Sequence, residues 1–475
     1  MSTEAPRLRV VAAQIFERPL TMRLPFRFGA ATMREARQAF LRIEVEDERG
    51  RLASGTAAEL MVPKWFDKNP ALSQADNEAQ LRRSLQIAVG LVRSEKPATA
   101  FALHAALEAA QHEMARGEGL NPLIASFGLA LLDRAVLDAL CRMDGEPIID
   151  ILRANRPGID ASTTGDLARF DFGHFLEGIV PETSLRLRHT VGYADALRPG
   201  DVGTRLDDGL PESLEEEIEA YGLRFFKIKL SGRPEEDTER LADVAAVLDG
   251  VEDYRATLDG NEQFEDERHV LDLWERIERD SRLKRLRASV LFLEQPIARA
   301  KALAEPVRRL AEKVPVEIDE SDDTPDAFVQ AREQGYTGIS SKSCKGFYRS
   351  LLNAMRVAQW NSEGGRFFMS AEDLTTQAGI AVQQDLALAA MLRLGHVERN
   401  GHHYVDGMAG AGKEEIERFL RYHPDLYRPA GSNLRLRIDE GRLDLGSTLA
   451  AAGLGVVPEA ADSAFQNLGP GELAA

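Results

Sequence analysis

The chain has 475 residues, with 77 acidic and 59 basic side chains and a formal net charge of −18. Charge of that sign repels nucleic acid and anionic membrane surfaces, so any anionic ligand has to meet positive charge that is concentrated locally. Hydrophobic residues make up 44%, enough for a large core in two or more domains, and no apolar run approaches the roughly 18 residues that span a bilayer. Cys141 and Cys344 are too few for a disulfide framework and fit no zinc spacing. The first six residues lack the basic-then-apolar pattern of an export signal, so a cytoplasmic location is expected.

The chain opens as strands. Residues 8–15 and 39–46 alternate apolar and polar side chains before the turn at Asp47–Gly50, the pattern of a meander with one solvated face. Helical periodicity follows over 76–94, 97–116 and 123–143, the last apolar around most of its circumference and therefore expected to be buried. An α+β domain over 1–150 ends before the turn residues at 153–158. From about residue 185 short apolar strands alternate with amphipathic helices. Strands are expected at 185–193, 223–230, 254–259, 289–294, 314–319, 338–342, 366–371 and, on weaker grounds, 402–405. Helices are expected at 234–249, 266–279, 299–313, 325–334 and 348–360. Eight such strands fit a TIM-type barrel over 185–410 better than a doubly wound sheet, which seldom carries polar residues at so many consecutive strand ends. Beyond 410 the rhythm stops. A helix at 413–422, strands at 434–438 and 442–445, and an Ala/Gly-rich tail make a C-terminal segment over 411–475.

The chemistry concentrates at the strand ends. Lys227 and Lys229 share one face of a strand, and Asp259, Glu294, Asp319 and Lys342 follow at intervals of 23 to 35 residues, one per βα unit at the rim where barrel enzymes build active sites. Two neighbouring ammonium groups are expected to lower the pKa of at least one into the range of a base. Each acid alone could be an ordinary rim carboxylate. Together Asp259, Glu294 and Asp319 offer three hard oxygen ligands, suited to Mg²⁺ with Mn²⁺ as a substitute, and no His or Cys stands in those places to favour zinc or copper. Asn261 is placed to orient a ligand or a lysine. Cys344 reads as a small packed residue, and His402-His403 as a pair in a surface loop in preference to a part of the site.

These residues resemble the enolase superfamily, in particular the muconate lactonizing enzyme and dipeptide epimerase group within the mandelate racemase/muconate lactonizing enzyme family. The resemblance implies an α/β fold: a modified (β/α)7β TIM barrel with an α+β cap formed by the N-terminal region and the C-terminal tail. It makes Lys229 and Lys342 opposed bases, Lys227 the electrostatic neighbour of Lys229, and Asp259, Glu294 and Asp319 the Mg²⁺ ligands, with Glu372 as the seventh-strand acid. Arg27 and Arg34, in the loop after the first strand, would contact substrate from the cap, and Lys345 would add positive charge. The implied reaction is abstraction of a proton α to a carboxylate through an enediolate that Mg²⁺ stabilises, ending in racemisation or epimerisation, cycloisomerisation or elimination. The expected partner is a small carboxylate, with no nucleic acid or membrane, and the chain is expected to form a homo-oligomer.

Two departures accompany the resemblance. Gly346 comes one place early against the frequent Lys-x-x-Lys-x-Gly-Gly, with Phe347-Tyr348 where the glycine pair is expected, and extra chain lies near 155–185 and 395–432. Three alternatives stand beside the leading reading: acid-sugar dehydration within the same superfamily, weakened by the lack of a His-Asp pair on the sixth and seventh strands; a Schiff-base lyase using Lys229 or Lys342; and a non-catalytic binding protein on a retained barrel.

Overall fold

The structure, a computed structural model, describes residues 4–28, 31–374, 377–457 and 466–467. Its N-terminal layer is an antiparallel sheet in which β1 (Leu8–Phe28) pairs β2 (Ala31–Asp47) and β2 pairs β3 (Leu52–Met61). β1 and β2 run well past the expected strands, so Arg27 and Arg34 stand within them and not in an intervening loop. Pro25, which lacks a backbone donor, falls between Thr21 and Phe26, where the pairing lapses and then resumes. Helices α1 (Gln74–Val92), α2 (Ala100–Gly117) and α3 (Pro122–Asp144) pack together beside the sheet, each opened by a side-chain cap from Ser73, Thr99 or Asn121. Every residue from Leu123 to Cys141 is buried, because α3 lies against α1, α2 and β3, as its apolar circumference predicts.

Eight parallel strands form the second layer: β4 (Ser184–Val191), β5 (Phe225–Lys229), β6 (Arg255–Asp259), β7 (Val290–Glu294), β8 (Val316–Ile318), β9 (Gly338–Ser341), β10 (Phe368–Ala371) and β11 (His396–Glu398). Their order is β10-β9-β8-β7-β6-β5-β4-β11. The last strand therefore pairs the first, and the sheet curls round on itself. At the seam the backbone NH of Asp373 donates to Glu398 at 3.0 Å. The fold is a modified (β/α)7β TIM barrel with an α+β cap.

Two expectations need correction. The eighth strand is His396–Glu398, and Gly401–Tyr404 is a helical turn instead of a strand. The expected helix over 299–313 is two short pieces, Arg299–Ala302 and Arg308–Ala311, separated at Pro306, which has no NH to continue a helix.

The C-terminal chain joins both layers. β12 (Tyr427–Ala430) and β13 (Asn433–Leu436) form a hairpin, and β14 (Arg442–Asp444) pairs β4 antiparallel. The chain then returns to the cap, where Leu454 donates its NH to Asp138 at 2.8 Å and Arg142 donates to the carbonyls of Val456 and Val457. β15 (Gln466–Asn467) adds to the edge of β1. The extra segment at 155–185 buries Leu167, Leu176 and Ile179 in the cap's core. Within 395–432, Glu415 forms a buried pair with Arg18 of β1 at 2.6 Å. Among the described residues no helix is long and apolar enough to cross a membrane.

Candidate active site

Alternation along the barrel strands turns the predicted side chains inward at the C-terminal rim. Lys229 lies in register with Asp259 on the next strand, and Asp259 with Glu294 on the one after. Lys229 Nζ donates to Asp259 Oδ2 at 2.6 Å. Across the barrel Lys342 Nζ lies 2.5 Å from Asp319 Oδ2. β5 and β9 are separated by β6, β7 and β8, half of an eight-stranded ring, so the two lysines stand on opposite walls.

Lys227 sits one inward position deeper, and its Nζ meets Asp259 at 3.0 Å, Glu294 at 2.7 Å, Glu372 at 2.6 Å and Glu398 at 3.1 Å. The expected lowering of an ammonium pKa fails for Lys227. Burial alone would lower it, but these four carboxylates outweigh burial and hold it well above the usual lysine range. Asp319 likewise holds Lys342 high against burial, and Lys342 Nζ also lies over the Trp65 ring, 4.4 Å from its centroid. Lys345 does not line the cavity, donating to Ser340 O at 2.7 Å and approaching Asp319 and Asp322 at 3.3 Å.

Loops from both layers close over these groups. The bend after β6 places Asn261 and Glu262 at φ of 43° and 67°, a left-handed conformation that favours glycine or asparagine and is costly elsewhere. Between Asp259 and Asn261, a Cβ on Gly260 would stand 2.5 Å from Pro296 Cα, so glycine lets the loops after β6 and β7 pack together. The turn is then locked: Asn261 NH donates to Asp259 Oδ1 at 2.8 Å, and Arg299 grips Glu262 while donating to the carbonyls of Trp65 and Phe66. That clamp fixes the cap segment carrying Trp65. Phe26, Val62 and Trp65 of the cap face Lys227, Lys229, Asp259, Asn261, Asp319 and Lys342 around a cavity of about 20 Å³, room for one water.

The donor set fits a divalent cation. Asp259, Glu294, Glu317, Asp319, Glu372 and Glu398 surround Lys227, Lys229, Lys342, Lys345 and Arg188, so carboxylates outnumber cations. Burial, then Asp259 and Glu372, push Glu294 well up, and burial with Glu372 does the same to Glu317. Glu317 Oε2 and Asn261 Oδ1 are buried without a hydrogen-bond partner. Against burial, Lys227 and Lys229 hold Asp259 low, while Lys342 and Lys345 hold Asp319 low. One difference from expectation stands out. The acids whose ligand oxygens come within 4.8 Å of one another here are Glu294, Glu317 and Glu372; Asp259 and Asp319 pair with Lys229 and Lys342 on opposite walls.

Several residues of the site carry no mark in the sequence reading. Glu398 ends β11 and binds Lys227, Thr190 and Asn400; placing the eighth strand six residues late hides its strand-end position. Arg188, buried in β4, reaches Glu372, and Glu317 precedes Asp319 by two, an inward position readable from alternation. Arg27 and Arg34 are exposed, Arg27 donating to Thr32 at 3.3 Å, and neither lines the cavity, whereas Phe26 does. His402 and His403 are buried, not loop residues at the surface. Cys344 is packed and buried, which pushes its thiol well up.

A family model described as enolase C-terminal domain-like matches residues 209–458, more than half of the chain. A search of curated proteins found no match. Among solved structures, an enolase from Bradyrhizobium complexed with magnesium and mandelic acid superposes with a TM-score of 0.59 at 15% identity, covering 95% of this chain and 96% of its own. A mandelate racemase/muconate lactonizing protein from Herpetosiphon aurantiacus gives 0.57 at 17% identity over 94% and 98%. A muconate lactonizing enzyme from Mycobacterium smegmatis complexed with muconolactone gives 0.55 at 19% over 96% and 97%. By the family match and by its barrel and cap, this chain belongs to the enolase superfamily, in its mandelate racemase/muconate lactonizing enzyme group.

Proposed function

We propose that the chain is a Mg²⁺-dependent enzyme that removes the proton α to the carboxylate of a small organic acid, and that it is an isomerase. The observation that carries this reading is the opposition of Lys229 and Lys342 across one cavity, each ammonium held on a rim carboxylate. An α-carbon between them presents one face to each lysine, so one takes a proton and the other returns one with inverted configuration. Asp259, Glu294 and Asp319 would hold Mg²⁺. Bound there, it supplies Lewis-acid stabilisation of the charge that collects on the substrate carboxylate as the proton leaves.

The other groups have supporting work to do. Lys227, held charged by its four carboxylates, keeps the acids of the barrel interior together. Phe26, Val62 and Trp65 exclude water from above. The magnesium in the Bradyrhizobium relative and the muconolactone in the Mycobacterium relative support a metal-assisted reaction on a carboxylate.

A second reading is favoured by one specific contact. Lys342, raised by Asp319 and seated over Trp65, is suited to remain a cation, leaving Lys229 as the single base of a cycloisomerisation or elimination. The test is to incubate the protein and Mg²⁺ with a panel of chiral carboxylic acids in D₂O and follow α-hydrogen exchange together with optical rotation. Exchange with loss of optical activity supports the isomerase, and exchange with a new alkene or lactone supports the second reading. No exchange with any acid, while borohydride traps a lysine–substrate adduct without metal, would discard both in favour of Schiff-base chemistry.

A further inference from the structure

We propose that the chain carries a second metal centre, a zinc site built by His189, Glu217 and His402 on the outer side of β4. Arg188 and Thr190 point into the barrel, to Glu372 and Glu398, so alternation sends His189 between them to the other side. There it meets Glu217, from the helix Leu214–Tyr221, and His402, from the turn Gly401–Tyr404. His189 Nδ1 lies 3.1 Å from His402 Nε2, and Glu217 Oε2 lies 3.3 Å from that same nitrogen. The three ligand atoms all fall within 4.8 Å of one another, and all three residues are buried. Bonds of about 2.0–2.1 Å at tetrahedral angles put neighbouring ligand atoms roughly 3.3 Å apart, close to what is seen.

Proton counting shows why hydrogen bonds alone leave this cluster incomplete. His402 Nε2 carries at most one proton, so it satisfies His189 Nδ1 or Glu217 Oε2 and not both. Glu217 Oε2 and His402 Nδ1 are in fact buried without a hydrogen-bond partner. A cation among the lone pairs of His189 Nδ1, His402 Nε2 and Glu217 Oε2 satisfies those three atoms at once. A supporting contact is also present: His403 Nδ1 lies 2.6 Å from Glu217 Oε1, orienting the carboxylate from behind. Two imidazoles and one carboxylate select zinc over magnesium, the reverse of the all-oxygen set inside the barrel.

The position gives such an ion work to do. The same turn supports the cap: Tyr404 packs on Phe26 with ring centroids 4.5 Å apart, and Arg23 donates to His403 O at 2.9 Å. A metal there fastens the barrel wall to the β1 segment that roofs the cavity.

To test it, the full chain is loaded with excess Zn²⁺ and desalted, its zinc is counted by mass spectrometry, and zinc-edge X-ray absorption is recorded. The expected result is a retained zinc whose shell contains two imidazole nitrogens and oxygen at about 2.0–2.1 Å. Affinity should fall by at least roughly 100-fold in His189→Gln and His402→Gln, while Asp259→Asn keeps this zinc. No retained zinc, an all-oxygen shell, or undiminished binding in both histidine variants overturns the proposal. Should a variant fail to fold, the absorption spectrum of the unaltered chain decides alone.

Discussion

β4 divides two buried polar clusters that solve different problems. On its inner side Arg188 and Thr190 join a ring of carboxylates and ammonium groups in which acids outnumber cations, and burial drives Glu294 and Glu317 upward. On its outer side His189 faces two histidines and one glutamate, and burial drives His189 well below its usual pKa, so it stays neutral. The inner cluster is short of positive charge; the outer one is short of protons. Two-residue alternation along one strand is enough to hold such different chemistries on either side of a single backbone.

Removing one group from each side should separate them most sharply. Lys227→Ala leaves four carboxylates around an empty place and should cost roughly 3–5 kcal/mol, because buried charges lose their partner. His189→Ala in metal-free protein removes a neutral group and should cost roughly 1–3 kcal/mol. Urea unfolding in a chelator measures both, and equal losses would erase the distinction.

A third buried group extends the contrast to the cap. Glu59 pairs with Arg134 at 3.0 Å, yet burial pushes it from 4.5 up to about 7. Its folded pKa is raised, so its contribution is fully present below about pH 4.5 and is lost as pH rises through 7. The loss by pH 7 is on the order of 3 kcal/mol, and Glu59→Gln should flatten that part of the stability–pH curve.

The metals sharpen the comparison next. Asp259→Asn should weaken Mg²⁺ binding by roughly 10–100-fold in calorimetric titration. The smallest effect concerns the roof. Trp65→Ala removes the contact with Lys342, worth roughly 0.5–2 kcal/mol, and should reduce turnover at least as much as it raises KM, whereas Trp65→Phe should restore most of the loss.

What was legible in the sequence follows the same division. Lys227, Lys229, Asp259, Glu294, Asp319 and Lys342 announce themselves because barrel strands end at regular intervals and each strand end faces the same mouth. Glu398 was hidden because β11 has only three residues, too few for alternation to mark, and His402–Val405 imitated a strand. The outer cluster was illegible for another reason. His189 and His402 are 213 residues apart, and His403 and Glu217 are 186 apart, so only tertiary packing brings them together. Arg27 and Arg34 were misplaced because β1 continues past Pro19 and Pro25, residues that usually end a strand. The pairing of Asp259 with Lys229 and of Asp319 with Lys342 depends on side-chain reach, which spacing along the chain does not reveal.

The central claim is that Lys229 and Lys342 serve opposite faces of one α-carbon. The most direct measurement takes the separate enantiomers of an acid that exchanges in D₂O with Mg²⁺, and follows α-deuterium incorporation with Lys229→Ala and Lys342→Ala. Each variant should lose exchange of one enantiomer by roughly 10²–10⁴-fold while still exchanging the other, and the two variants should have opposite preferences. Undiminished exchange of both enantiomers in both variants would contradict the account.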